Sequence, residues 1–264
     1  MEIWGTFPIE NRRTYLWRIR YLLLWLFRDE RQWYWTAEYS DQPENGEPLF
    51  TEQVSEPEGA VWRRLITRSL SSDVVVAPML PDRPVVVMPQ EPLSIGAGVE
   101  VRLYFALPLW VQLRGGERLA ETLGEFGVAP LSNTWLGDTF TGRMSYMLRA
   151  PIGYEAQDVT VRPGEALCCL HITNSAETTA TLDKLAIPCD IMALYRRRDA
   201  DAQAALISNE ILLNFGRSQE LQVRLHPETP KLREDLIRLT EPRQREQDSF
   251  WHKSISLLKK ISEY

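Results

Sequence analysis

Between residues 99 and 114 every odd position is apolar: Val99, Val101, Leu103, Phe105, Leu107, Leu109, Val111 and Leu113. The even positions carry Glu100, Arg102, Tyr104, Ala106, Pro108, Trp110, Gln112 and Arg114. Side chains of an extended strand point alternately to opposite faces, so this run predicts one long strand with one face committed to a core. A helix would scatter the same residues around its circumference. The alternation recurs along most of the chain and predicts an all-β protein. We read it as immunoglobulin-like β-sandwich architecture with an N-terminal aromatic hairpin and a short C-terminal helical tail. Three regions follow: an N-terminal β region at residues 1–80, a sandwich at 81–226 and a helical tail at 227–264.

Residues 15–27 alternate too, with Tyr15, Trp17, Ile19, Tyr21, Leu23, Trp25 and Phe27 on one face. After the charged run Arg28, Asp29, Glu30 and Arg31, the residues Trp33, Trp35, Ala37 and Tyr39 alternate with polar neighbours. That pattern predicts a β-hairpin of two aromatic strands. Leu16, Leu22, Leu24 and Leu26 make the opposite face of the first strand apolar as well, so both faces are expected to be covered. A tryptophan-rich ribbon also suits a membrane interface or a partner surface. Burial in a sheet is the plainer expectation. The apolar run at residues 21–27 is far shorter than the about 20 residues a spanning helix needs.

Residues 41–59, rich in Pro, Glu and Gly, read as an acidic loop. Prolines frame Val85, Val86 and Val87 and predict an edge strand or a strand start. Leu119, Leu123 and Phe126 have helical spacing and predict a short helix over residues 117–126. Met144, Tyr146 and Leu148 mark a strand, and Ala166, Cys168, Leu170 and Ile172 mark another. The second is expected to turn at residues 174–177 into a hairpin partner carrying Ala180, Leu182, Leu185 and Ile187, bulged at Asp183 and Lys184. Leu221, Val223 and Leu225 predict a late strand. Residues 231–239 read as a helix with Leu232, Leu236 and Leu239 on one side. Beyond Pro242, Asp248 or Ser249 can cap a final amphipathic helix bearing Phe250, Trp251, Ile255, Leu258 and Ile261. Such an element suits a lid on its own domain, a docking element for a partner, or a membrane-surface segment.

A formal net charge of −6 over 264 residues argues against a general nucleic-acid binder, whose affinity comes from neutralising phosphates. Three cysteines, two of them adjacent at Cys168 and Cys169, make a poor disulfide framework and point to reduced thiols in the cytoplasm. Neither a signal peptide nor a transmembrane segment is expected. The chain has no G-x-S-x-G elbow, no P-loop and no G-x-G-x-x-G after a strand. Cys169 and His171 share a strand face, but no further ligand spacing completes a metal site. No enzymatic activity, metal or cofactor is expected. The string LSNTWLGD at residues 131–138 predicts a tight loop. There Asn133, Thr134 and Asp138 supply donors and acceptors, and Trp135 a stacking face. Trp110, on the polar face of its strand, offers a second ring. In the plainer alternative Trp135 plugs the core, and Asn133 and Asp138 satisfy turn amides.

The strings PDRPVVVMPQEPLSIGAG, LPLWVQL and LSNTWLGD with GRMSYML together resemble a domain-of-unknown-function family, number 432 in that series, known from archaea and some bacteria. The resemblance covers most of residues 1–226 and leaves the final helix, about residues 248–262, outside its pattern. It implies no established activity. Members are often encoded near small-conductance mechanosensitive channels, which implies a membrane channel as partner for the aromatic hairpin and the terminal helix. The expected function is therefore a non-enzymatic accessory or interaction protein, cytoplasmic or peripheral to the membrane. Its rival is a module that binds a small, carbohydrate-like ligand through Trp135 or Trp110.

Overall fold

The computed structural model describes residues 3–30, 32–44, 49–52, 54–66, 72–137, 139–140, 142–198, 206–216, 221–225 and 235–244. Among the described residues the fold is all-β: strand accounts for 60% of them and helix for 4%, and no helix there reaches seven residues. The first strands are β1 (Gly5–Pro8), β2 (Thr14–Ile19), β3 (Leu22–Asp29), β4 (Gln32–Tyr39), β5 (Leu49–Glu52), β6 (Arg63–Ile66) and β7 (Asp73–Met79). Then come β8 (Val85–Pro89), β9 (Leu93–Ile95), β10 (Glu100–Pro108), β11 (Trp110–Gly115), β12 (Glu121–Gly127), β13 (Ser132–Leu136) and β14 (Arg143–Ala150). The last are β15 (Glu165–Asn174), β16 (Ala180–Leu182), β17 (Leu185–Ile187), β18 (Leu194–Arg197), β19 (Leu206–Phe215), β20 (Leu221–Leu225) and β21 (Leu236–Thr240).

The chain divides into two compact units. Unit 1 comprises Met1–Met79 and Pro108–Pro130, and unit 2 comprises Leu80–Leu107 and Leu131–Tyr264.

Unit 1 pairs a five-stranded sheet, β5-β2-β3-β4-β6, with a four-stranded one, β1-β7-β11-β12. Tyr15, Trp17, Ile19, Leu22, Leu24, Leu26, Trp33 and Trp35 from the first sheet share one core with Val74, Val76, Val111, Leu113 and Leu123 from the second. The predicted first strand of the aromatic hairpin is two strands. The chain reverses at Arg20 and Tyr21, where Arg20 takes a left-handed φ of 57°, and the inward phase switches from odd to even residues. Opposed pairs Tyr15 with Leu26, Trp17 with Leu24 and Ile19 with Leu22 then face the core together. Leu16 and Trp25, opposed on the other face, are buried as well. The tryptophans of this ribbon are core residues, not an interfacial belt.

Two other expectations fail in unit 1. Within the acidic loop, Leu49–Glu52 forms edge strand β5, which adds to β2 and brings Phe50 within 4.7 Å of the Trp17 ring centroid. The helix expected over residues 117–126 is a 3-10 turn at Glu117–Leu119 followed by β12. Pairing with β11 overrides the helical spacing there, and Leu123 and Phe126 pack into the core.

In unit 2 the larger sheet runs β10-β15-β19-β18-β21, with β20 also on β19. A second is ordered β13-β14-β8-β17, and β9 pairs with β16. Among the described residues two ladders are parallel, β15 with β19 and β8 with β14. The alternation of residues 99–113 buries Leu103, Phe105, Leu107, Leu109, Val111 and Leu113 as expected. It is nevertheless two strands, because Pro108 ends β10 and β11 joins a different sheet. β8 is an interior strand rather than an edge: its prolines bracket Val85, Val86 and Val87 without taking an amide from the middle of the ladder. β15 forms no hairpin with the following residues, since β16 and β17 lie in two other sheets, and the expected bulge is the break between them. The part of the 231–239 helix that falls within the described residues is strand, β21 against β18. The final helix, with Phe250, Trp251, Ile255, Leu258 and Ile261, lies outside the described residues.

Candidate functional site

The string LSNTWLGD builds an edge strand rather than a loop. Ser132–Leu136 pairs antiparallel with β14 and, among the described residues, has no strand on its other side. The small polar residues that read as loop are those an edge strand carries toward solvent. Leu136 turns inward and clusters with Val86, Ala186 and Ile191, with Leu225 against them. Trp135 turns to the other face, directly opposite Met144. Trp135 is 52% exposed and Met144 44%, and Phe140, in the turn between the strands, is 96% exposed. The plug reading of Trp135 is therefore overturned, since half of the residue meets solvent.

Polar contacts tie the hairpin to its neighbours. Arg143, the residue before Met144, places Nη1 3.0 Å from Oδ2 of Asp190, whose side chain is fully buried. Tyr146 donates its hydroxyl to Asp82 at 2.9 Å, and Arg83 lies over the Tyr146 ring at 5.4 Å. Asn133 sits opposite Tyr146 on the face that carries Trp135, and Thr134 lies opposite the buried Ser145. Exposed aromatic area on such a strand can receive an extended segment or an apolar helix face.

The remaining site residues do not join it. Asp138 lies outside the described residues. Trp110 belongs to unit 1 and is 7% exposed, so it offers no open ring. Gly127 lies directly opposite it, and the Trp110 ring would come within 3.2 Å of a Cβ at that position. The missing side chain leaves room for the indole against the neighbouring strand.

A polar network that sequence reasoning only half saw lies on the larger sheet of unit 2. His171 Nε2 is 2.6 Å from Glu100 Oε1, and His171 Nδ1 is 3.9 Å from Glu210 Oε1. The same Glu210 oxygen accepts from Arg102 Nε at 3.1 Å and from the Cys169 thiol at 3.7 Å. The shared face of Cys169 and His171 was legible. Glu210 was not, because only the parallel register sets it opposite Cys169. Among the described residues no group of three or more His, Cys, Asp or Glu is arranged to hold a metal.

This environment makes the thiols unreactive. Burial pushes the Cys168 thiol up to about 12. Burial, reinforced by the Glu210 carboxylate, pushes Cys169 up to about 11, and burial raises Cys189 well above the ordinary thiol value. Only the thiolate attacks, and three units below its pKa about one thiol in a thousand is ionised. A colorimetric disulfide reagent at pH 8 is expected to label almost no cysteine in the native protein and all three after denaturation. Rapid native labelling of Cys169 would contradict this arrangement.

A family model described as Protein of unknown function (DUF432) matches residues 3–259, so the chain belongs to that family. The match runs through most of the terminal segment that the sequence resemblance left outside. No curated protein and no solved structure matches the chain.

Proposed function

We propose that this chain is a non-enzymatic accessory protein of the cytoplasm that docks on a partner through the β13–β14 hairpin. The observation that carries this reading is the exposed Trp135–Met144 pair, with the exposed Phe140 in the turn between their strands, since large apolar area kept at the surface marks contact sites. The partner that the sequence resemblance implies is a membrane channel of the small-conductance mechanosensitive type. The protonated thiols fit a protein that performs no nucleophilic chemistry. The same proposal takes unit 2 for an immunoglobulin-like sandwich, a scaffold that presents edges and end loops for contact. Among the described residues no helix is long and apolar enough to cross a membrane.

The test is recovery of the channel with the tagged protein from gently solubilised membranes, comparing wild type with Trp135→Ala and Phe140→Ser. Centrally placed aromatic anchors contribute about 2 kcal/mol or more to an interface. Recovery is therefore expected to fall at least tenfold with unchanged melting temperature. Undiminished recovery would remove the hairpin from the contact. A second reading uses Trp135 as a stacking platform for a carbohydrate-like ligand. It requires a saturable fluorescence change with added sugar that Trp135→Ala abolishes.

A further inference from the structure

Two consecutive residues late in the chain each hold a different segment of unit 2. The Arg243 guanidinium donates twice to the Leu80 carbonyl, from Nε at 3.1 Å and Nη2 at 2.9 Å. The Gln244 amide donates to the Asp190 carbonyl at 2.9 Å. Leu80 is 3% exposed and Asp190 not at all, so water cannot readily replace either bond once it is broken.

Each of these segments in turn holds β14. Just after Leu80, the Pro84 carbonyl accepts the Tyr146 amide at 2.9 Å, and Asp82 accepts the Tyr146 hydroxyl at 2.9 Å. Arg83, between them, lies over the Tyr146 ring. In the other segment the Asp190 carboxylate takes Arg143 Nη1 at 3.0 Å. Residues 143 and 146 project from opposite faces of the strand, so β14 is gripped on both sides. Both grips trace back to the neighbours Arg243 and Gln244. The connecting segments are stiff. Pro81 and Pro84 fix φ near about −65° in the first, and the second is the 3-10 turn Cys189–Ile191 behind Pro188. Neither can swing far without moving the group it presents to β14.

We propose that Arg243 and Gln244 form a clasp that sets the conformation of the β13–β14 hairpin, so that its release loosens the hairpin and weakens the hold on a partner. The effect on a partner rests on the reading of the hairpin as a docking surface. The coupling of clasp to hairpin does not.

Amide hydrogen exchange of the full chain, resolved by nuclear magnetic resonance, tests the coupling. In Arg243→Ala the Tyr146 amide is expected to exchange about tenfold faster, the scale of losing a hydrogen bond from a charged donor. Amides of β15 in the same unit and of β3 in unit 1 should keep their rates. Arg243→Lys, which retains a cation and a donor, should fall between. Coupling acts in both directions, so Arg143→Lys, which keeps the charge but not the planar fork, should speed exchange at the Gln244 amide. Unchanged exchange at Tyr146 in Arg243→Ala would overturn the clasp. Equal acceleration across β15 would do the same, since it would mean a general loss of stability. The channel-recovery assay fails independently. Faster Tyr146 exchange in Arg243→Ala with undiminished recovery in Trp135→Ala keeps the clasp and discards the docking surface. Recovery lost in Trp135→Ala but unchanged in Arg243→Ala keeps the surface and overturns the clasp's hold on it.

Discussion

Trp17→Ala is expected to destabilise unit 1 by about 3–5 kcal/mol, the range for deleting a fully buried large aromatic. Trp17 has no exposed surface, and its ring centroid lies 5.5 Å from Phe7 in an edge-on contact and 4.7 Å from Phe50. These rings come from three strands, β1, β2 and β5, so the deletion opens a cavity that no single neighbour can fill. Trp17→Phe separates volume from polarity. The indole Nε1 is buried with no hydrogen-bond partner, so phenylalanine removes an unsatisfied donor while keeping most of the packing. It should cost about 1–2 kcal/mol. Urea unfolding followed by far-ultraviolet circular dichroism measures both. Equal losses for the two variants would mean that packing around this ring is not what holds the two sheets together.

The second large effect is at the buried ion pair. Arg143→Met leaves the Asp190 carboxylate, with no exposed surface, deprived of the cation 3.0 Å away. Removing one member of a buried pair costs about 3–5 kcal/mol, because the other charge stays desolvated. Asp190→Leu in the same chain removes that charge, and the double variant is expected to recover more than half of the loss. Thermal melts of the two singles and the double give the coupling directly. A double variant as unstable as the sum of the singles would show that the two side chains act independently. Since Arg143 and Asp190 join β14 to the turn at Cys189–Ile191, Arg143→Met should also loosen the seat of Trp135 and weaken whatever the hairpin holds.

How much of this was legible depends on what alternation can encode. It assigns faces, and the inward residues 103–113 and 166–172 were read correctly because each buries one side of its strand. It does not assign neighbours. Cys168, Leu170 and Ile172 look the same whether the next strand folds back beside them or, as here, β19 arrives in parallel from forty residues later. Turns without Gly, Pro or Asn leave little trace: Arg20 adopts its left-handed φ unannounced, and only the switch from Ile19 to Leu22 betrays it. Edge strands such as β13 are disguised by their own solvent-facing polar residues. Leu123 and Phe126 show the converse failure, a helical interval generated by chance in a strand whose partner decides its conformation. Of the site, Trp135 was visible as chemistry, but its exposure depends on its being the outward residue of an edge, which the sequence does not state. Trp110 was misplaced because an apparently polar face is itself covered once Gly127 lies alongside.

The alternating run that spans residues 99–113 also dictates how this protein must be made. The chain passes from one unit to the other between residues 79 and 80, again between 107 and 108, and back between 130 and 131. No single cut yields either unit as a contiguous fragment. During synthesis, β7 waits for β11, so the first unit cannot close its sheets until residues up to about 130 have left the ribosome. By then the opening strands of the second, including β8 and β10, already hang from it unpaired. Strand edges left open in that interval are where misassembly begins.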